Sequence, residues 1–429
     1  MNNQILYCSL DGSIPEQYRG YQKIDFSDSN DFRFTIKNQL KILPGDISPA
    51  ASDLLYFSLF IFAADRKIPR ELSNDGWSRD IHLIIPVLCK ELWDMQIPLA
   101  TKILNFLSGD NWTLEFYQRT PVEFEKRARN YFTQLKIKES QIDTVCMFSG
   151  GLDSFIGAVD LLAETQNVYF VSHAGGGKGV KVYQDILIES ISSKYRINTD
   201  HFFRFYAAKV DGIEDTTRTR SLMFFSHAIA IASCLQVPTK LIIPENGLIS
   251  LNIPLTYSRL GSSSTRTTHP HFLTLFQTLV KNLGIEIAIC NPYQFKTKGE
   301  MLRECKDQEY LRAELELTMS CSHPDEGRHR KEAPCHCGIC FPCLVRRAAV
   351  LRAGYKDRSV YRDSVFSKTP TAQFNLNCYR IAMNNHNPKY SFLKIQNSGP
   401  IVTNIDQYAA LYNRGMKELE VLLEAIHVL

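Results

Sequence analysis

The spacing of apolar positions divides the chain into a first stretch of short alternating runs, a long middle in which strand-like and helix-like runs take turns, and a helical end. Gln4 to Leu10, Tyr21 to Phe26 and Asp31 to Ile36 predict strands. In the third, Phe32, Phe34 and Ile36 share one face while Arg33 and Thr35 take the other. From Ser48, a candidate N-cap followed by Pro49, the period lengthens. Leu54, Leu55, Phe57, Leu59 and Phe60 then predict a helix that ends near Pro69. Ile81 to Val87 predicts a strand, Lys90 to Leu107 a helix interrupted at Pro98, Gly109-Asp110 a turn and Trp112 to Tyr117 another strand. Phe124 to Lys136 predicts a helix leading into the middle of the chain.

The middle begins with the apolar run Thr144 to Phe148, the pattern of a strand buried on both faces. A helix from Ser154 to about Glu164, a strand from Asn167 to Ser172, a helix over 181–194 and a strand from His201 to Ala207 follow. Then come a helix from Arg220 to Cys234, a strand at Lys240 to Pro244, a helix around 271–283 and a strand at Ile285 to Cys290. Such alternation predicts an α/β fold with a doubly wound parallel sheet. The expected organisation is a mixed α/β extension over 1–135, a catalytic unit over 136–371 and a helical tail over 372–429.

Composition narrows the function classes. In 429 residues, 44% are hydrophobic and 22% charged, the balance of a soluble globular protein. The net charge of +4 does not mark a dedicated nucleic-acid binder and leaves a local basic patch open. No apolar run of membrane-spanning length occurs and the first residues do not read as a leader, so a cytoplasmic protein without a membrane partner is expected. Twelve cysteines in that compartment point to thiols and metal rather than disulfides.

Two clusters carry chemistry. Ser149-Gly150-Gly151-Leu152-Asp153-Ser154 joins a predicted strand to a predicted helix. There the helix N-terminus offers unpaired N–H groups, the glycines let an anion approach the backbone, the serines donate hydroxyls, and Asp153 can hold Mg²⁺. The lysine of a Walker A loop is missing. The second cluster is Cys335-His336-Cys337-Gly338-Ile339-Cys340-Phe341-Pro342-Cys343, with Cys321 upstream. Cys337, Cys340 and Cys343 supply three soft ligands from a tight turn running into a helix near Leu344; Cys321 is the chosen fourth ligand for a structural Zn²⁺. Cys335 competes for that place, His323, His329 and His336 are weaker candidates, and an iron–sulfur cluster is the rival metal.

The loop resembles the SGGxDS pyrophosphate loop of the N-type ATP pyrophosphatases, and its resemblance implies ATP split between the α- and β-phosphates. With Arg220-Ser221, Thr297-Lys298, Ser320-Cys321, the cysteine run and Arg346 in order, the chain from about Thr144 to Val350 resembles the QueC family of 7-cyano-7-deazaguanine synthases. The similarity is greatest to longer QueC-like proteins of anti-phage defence. That resemblance implies adenylation of a deazaguanine carboxylate and attack by an amine, with Lys298 and Arg220 beside Asp153 as catalytic residues. Where the family has Asn after its Arg, this chain has Ser221. The stretches Pro244-Glu245-Asn246-Gly247 and Ser264 to Pro270 supply candidate substrate contacts at Glu245, Asn246, Arg266 and His269. The expected partners are a deazapurine small molecule and, because the extension and tail are additions, a protein acceptor or defence-complex partner. Ammonia as acceptor, sulfur transfer through a persulfide, and an inactive nucleotide-binding scaffold are the alternatives.

Overall fold

The computed structural model describes residues 4–36, 39, 43, 45–123, 125, 142–165, 167–175, 178–216, 218–235, 237–255 and 266–426. The first unit contains β1 (Gln4–Ser9), β2 (Gln22–Asp25), β3 (Phe32–Phe34), α1 (Pro49–Lys67), β4 (Asp80–Val87), α2 (Lys90–Ser108) and β5 (Asn111–Gln118). Four of its strands form a sheet in the order β2-β1-β4-β5, with every pairing parallel. The helix expected over 124–136 lies, Glu125 excepted, outside the described residues.

Ser48 caps α1 by accepting from the Ala51 N–H at 3.2 Å, and Pro49 occupies its first turn. Almost every residue of α1 is buried. A helix apolar on all sides must be covered on all sides, and α1 lies between β4 of its own sheet and a helix of the next unit. In α2, Pro98 does not interrupt the helix as the sequence predicts; the helix runs through it to Gly109. An interior proline costs about 3 kcal/mol. Trp93, Ile103, Leu104 and Leu107 are buried on the same helix, and at roughly 1.5–3 kcal/mol for each large apolar side chain their burial outweighs that cost.

The central unit contains β6 (Thr144–Met147), α3 (Leu152–Leu162), β7 (Val168–His173), α4 (Lys178–Tyr195), β8 (Phe202–Phe205), β9 (Ala207–Lys209), α5 (Arg220–Ser233), β10 (Thr239–Ile242), α6 (Gly247–Ser250), α7 (Pro270–Asn282) and β11 (Ile287–Cys290). Its sheet has the order β11-β10-β6-β7-β8, all parallel, with Val145 of β6 opposite Tyr169 and Leu241. The strand order reverses beside β6, so a crevice opens where the connections after β6 and β10 part to opposite faces. The strand expected over 201–207 is instead two. At Tyr206 the chain turns out of the sheet: its N–H donates to Thr35 Oγ1, and its carbonyl accepts from the Thr35 N–H, each at 3.0 Å. β9 then pairs antiparallel with β3, and the two form a separate two-stranded ribbon between the first unit and the central one.

The first two units share one apolar core, in which Leu54, Phe57 and Ile61 of α1 join Leu222, Phe225 and Ile229 of α5. A buried ionic network crosses the same boundary. Asp65 at the end of α1 accepts from Arg79 Nη2 at 2.5 Å and from Thr219 Oγ1 at 2.7 Å, while Asp110 accepts from both Arg79 and Arg70. The remaining elements are α8 (Lys298–Glu304), α9 (Gln308–Glu314), α10 (Phe341–Arg352), α11 (Pro370–Asn384), α12 (Ser391–Lys394) and α13 (Ile405–Ala425). No helix among the described residues is long and apolar enough to cross a membrane.

Candidate active site and metal centre

The turn between β6 and α3 is built around Gly150, whose φ of +82° is the left-handed conformation that glycine adopts without penalty. A Cβ there would lie 2.9 Å from Gln184 Cγ, so space and conformation both require glycine. Gln184, fully buried on α4, donates from Nε2 to the carbonyls of Ser149 and His173 at 3.1 and 3.3 Å and so ties the loop to the end of β7. Inside the loop the Ser149 N–H donates to Ser154 Oγ, the Ser154 hydroxyl donates to the Gly151 carbonyl, and the two serine oxygens stand 3.1 Å apart.

Asp153 points into the crevice beside β6. Its Oδ2 accepts from Asn246 Nδ2 at 2.7 Å and from the Asn246 N–H at 3.3 Å; Oδ1 lies 3.2 Å from Lys298 Nζ in an ion pair and makes no hydrogen bond. Asp153 and Lys298 are both buried. Burial pushes the Asp153 carboxyl up, but the Lys298 ammonium and hydrogen bonds with Glu245 and Asn246 outweigh it and hold the group below the usual carboxylate range. Asn246 is held in turn, since its Oδ1 caps α6 by accepting from the Ile249 N–H at 3.0 Å. The structure therefore brings together Ser149, Gly150, Gly151, Leu152, Asp153, Ser154, Glu245, Asn246 and Lys298 from three separate stretches of chain.

Arg220 opens α5. Its side chain reaches solvent although protein crowds around it, and that crowding lowers its pKa. It acts electrostatically on His173 at the end of β7, where burial first, then Arg220 and His227, push the imidazole down to about 3; His173 is a neutral group at physiological pH. Arg266 and His269 gather around Phe106 at the end of α2. Arg266 donates to the Phe106 carbonyl at 2.5 Å and lies over its ring at 4.6 Å. His269 is fully buried, caps α7 by accepting from the His271 N–H at 3.2 Å, and sits 5.2 Å from the Phe106 ring. These are the contacts of helix caps. Their link to Asp153 is indirect: Thr268 Oγ1 is 3.0 Å from Ser250 Oγ, which donates to the Asn246 carbonyl at 3.0 Å.

The sulfurs of Cys321, Cys337, Cys340 and Cys343 lie within 4.8 Å of one another. Two of the pairs measure 4.0 Å (Cys321 to Cys340) and 3.9 Å (Cys337 to Cys343). A tetrahedron with Zn–S bonds of about 2.3 Å has sulfur–sulfur edges of about 3.8 Å. The group therefore fits a single tetrahedral ion, and it could hold zinc; a cluster of bridged irons would spread the thiolates further. Backbone N–H groups of Cys337 and His323 donate to Cys321 Sγ, and that of Cys340 to Cys337 Sγ, at 3.2 to 3.4 Å, which favours thiolates. Cys335 is outside the four-sulfur group. Gly338 makes the tight turn with φ +87°, where a Cβ would overlap the Asp363 carbonyl.

Two residues that bind these parts together escaped the sequence patterns. Gln184 is the first. The second is Glu418 of α13, buried, whose Oε1 accepts from Thr297 Oγ1 at 2.6 Å. Ser320, named in sequence only as part of the Ser320-Cys321 step, joins the two clusters: its Oγ accepts from the Leu152 N–H at 3.3 Å, while the Met319 N–H donates to the Gly150 carbonyl at 2.9 Å.

Sequence comparison finds the chain similar to 7-cyano-7-deazaguanine synthases. Over 109 residues it is 31% identical to those of Brucella ovis, Brucella canis and Brucella suis, a match that covers 25% of this chain and 42% of each relative. The matched region thus spans less than half the length of these curated relatives. No protein-family model matches the chain. No solved structure matches it.

Proposed function

We propose that the protein is an ATP-dependent enzyme that adenylates the carboxylate of a 7-deazaguanine and transfers the acyl group to an amine. The observation that carries this is the crevice between β6 and β10, where a glycine turn with two serine hydroxyls meets the buried Asp153–Lys298–Asn246 cluster. Similarity to 7-cyano-7-deazaguanine synthases supports the substrate class, and the four-cysteine group supports a structural zinc. In this reading a substrate carboxylate oxygen attacks the α-phosphorus of ATP and pyrophosphate departs. The amine nitrogen then attacks the acyl carbon and AMP leaves. Lys298 is already paired with Asp153, yet an ammonium has three donors, so donors remain for phosphate oxygens. The turn and the start of α3 direct backbone dipoles to the same place. Asp153, whose Oδ1 makes no hydrogen bond, and Glu245 beside it would hold the Mg²⁺ that offsets phosphate charge.

The amine acceptor is proposed to belong to a protein, in keeping with a role in anti-phage defence. A second reading, with ammonia as acceptor, is favoured by one observation: the extension and the tail are both packed against the central unit, which accounts for them without a macromolecular partner. Incubation with ATP and 7-carboxy-7-deazaguanine, with ammonia or candidate partner proteins, separates these readings. AMP and pyrophosphate are expected in stoichiometric amounts, with a mass gain on a partner; ADP as sole nucleotide product overturns the adenylation reading. Rapid nitrile formation from ammonia, with no partner gaining mass, selects the second reading.

A further inference from the structure

The tail packs against the chain that surrounds the site. Along one face of α13, residues spaced three and four apart meet the chain that carries Lys298 and the chain that carries Asn246. Tyr408 Oη donates to Gln294 Oε1 at 3.1 Å. Leu411 fills the space above Gly247, where a Cβ would meet it at 2.3 Å, and Leu248 packs on Gly415 in the same way. One turn further, Arg414 donates from Nε to Glu300 Oε1 at 2.7 Å and from Nη2 to the Phe295 carbonyl at 2.8 Å. Glu418 then accepts from the Thr297 hydroxyl.

Thr297 and Glu300 are the two halves of the capping box that starts α8. The Glu300 N–H donates to Thr297 Oγ1 at 3.1 Å, and the Thr297 N–H to Glu300 Oε2 at 2.8 Å. Arg414 and Glu418, four residues apart, therefore each hold one half of this box. Gly299 follows Lys298 directly, and a Cβ on it would lie 2.6 Å from Glu418 Oε1; the carboxylate comes so close because the residue there is glycine. Lys298 is the first residue inside the box, and its ammonium is the one paired with Asp153. A first-turn side chain takes its direction from the cap that fixes the turn.

We propose that Glu418 is a positioning residue of the nucleotide site: with Arg414 it clamps the Thr297–Glu300 turn and so fixes the Lys298 ammonium against Asp153. The inference rests on the adenylation reading for its consequence in catalysis, but the clamp itself is independent of what the site binds. The test uses the full chain and two readouts. The first is the native-state rate at which an amine-acylating reagent modifies Lys298, followed by peptide mass spectrometry with the exposed lysines as internal standards. The second is ATP–pyrophosphate exchange, separated into kcat and KM for ATP.

Glu418→Ala is expected to raise the Lys298 acylation rate severalfold with the other lysines unchanged, and to lower kcat by up to about a hundredfold, the cost of a misplacement near 1 Å. Glu418→Gln keeps an oxygen that accepts from Thr297, and is expected to restore most of the protection. If Glu418→Ala does not fold, Thr297→Val and Arg414→Met each loosen one side of the same clamp and are expected to expose Lys298 to a smaller extent. An unchanged Lys298 acylation rate in a folded clamp variant that has lost only thermal stability overturns the proposal. Absence of exchange in the wild-type protein would sink the adenylation reading alone, and the acylation rates would still decide the clamp.

Discussion

The Leu152 N–H donates to Ser320 Oγ at 3.3 Å, and the residue after Ser320 is the metal-site candidate Cys321. The glycine turn and the four-sulfur group are thus one residue apart, although the sequence separates Leu152 from Cys321 by most of the central sheet. Metal binding would fix the chain from Cys321 to Cys343 through its four sulfurs. Removing the metal by chelation, or preventing its binding with Cys337→Ser, is expected to speed amide hydrogen exchange over 149–154 as well as over 319–343. Elemental analysis is expected to find about one zinc per chain in the wild type, as for a four-thiolate structural site, and the same in Cys335→Ser. Metal loss with unchanged exchange at 149–154 would refute the coupling.

Asp153→Asn is expected to abolish ATP turnover, because it removes the proposed Mg²⁺ ligand. The structure adds a cost in stability, because Lys298 is buried and would lose its counter-charge. Breaking such a pair from either side costs roughly 3–5 kcal/mol, whereas replacing both partners by neutral groups is often close to neutral. Urea denaturation is expected to show a large loss in Asp153→Asn and in Lys298→Met, with most of it recovered in the double variant. ATP turnover should remain lost in all three.

Asp53, fully buried on α1, accepts from the Leu88 and Cys89 N–H groups at 2.7 and 2.9 Å and faces Arg119. Burial outweighs these partners and pushes its carboxyl up to about 6. An acid that holds its proton more tightly when folded stabilises the fold below the unfolded pKa of about 3.9 and weakens it as pH rises to about 6. The gap of two units corresponds to on the order of 3 kcal/mol. Denaturant titrations between pH 4 and pH 7 are expected to show this decline in the wild type, and a flatter profile in Asp53→Asn.

Thr219 joins Asp65 of α1 to the start of α5, where Arg220 stands. Thr219→Val keeps the shape and removes the donor, leaving the buried carboxylate short of one partner at a cost of about 1–3 kcal/mol. The melting temperature should fall, and ATP turnover should fall further than in Thr216→Val, whose hydroxyl makes a longer bond of 3.4 Å to the same carboxylate and is not beside Arg220. Equal turnover in the two variants would remove the link between the extension and Arg220.

What the sequence made legible was local. The Ser149–Ser154 turn and the Cys337–Cys343 run are contiguous, so their residue types and spacing state their geometry, and strong alternation fixed the order of strands and helices. Contacts made across the fold left weaker marks. Glu418 occupies a stripe with Leu411, Gly415 and Leu422, where the period calls for an apolar residue; a carboxylate on that stripe was the available signal of a buried partner. Gly299 in a helix, at roughly 1 kcal/mol below alanine, was another. Arg266 and His269 show the opposite difficulty: a polar loop announces hydrogen bonding but not its direction, and here the direction is toward Phe106. Pro98 misled because the local penalty is visible in sequence while the compensating burial of α2 is not.

The shared core of α1 and α5 bears on how such a protein is inherited. A gene fragment beginning after residue 135 would encode the glycine turn, the lysine and all four clustered cysteines, yet Leu222, Phe225 and Ile229 would lose the α1 side of their core and Thr219 would have no carboxylate to meet. Recombination that trades the extension for another domain would therefore have to bring a replacement for α1 with it, matched in shape to α5. The extension and the central unit are therefore expected to be retained together, with substitutions along that seam selected jointly.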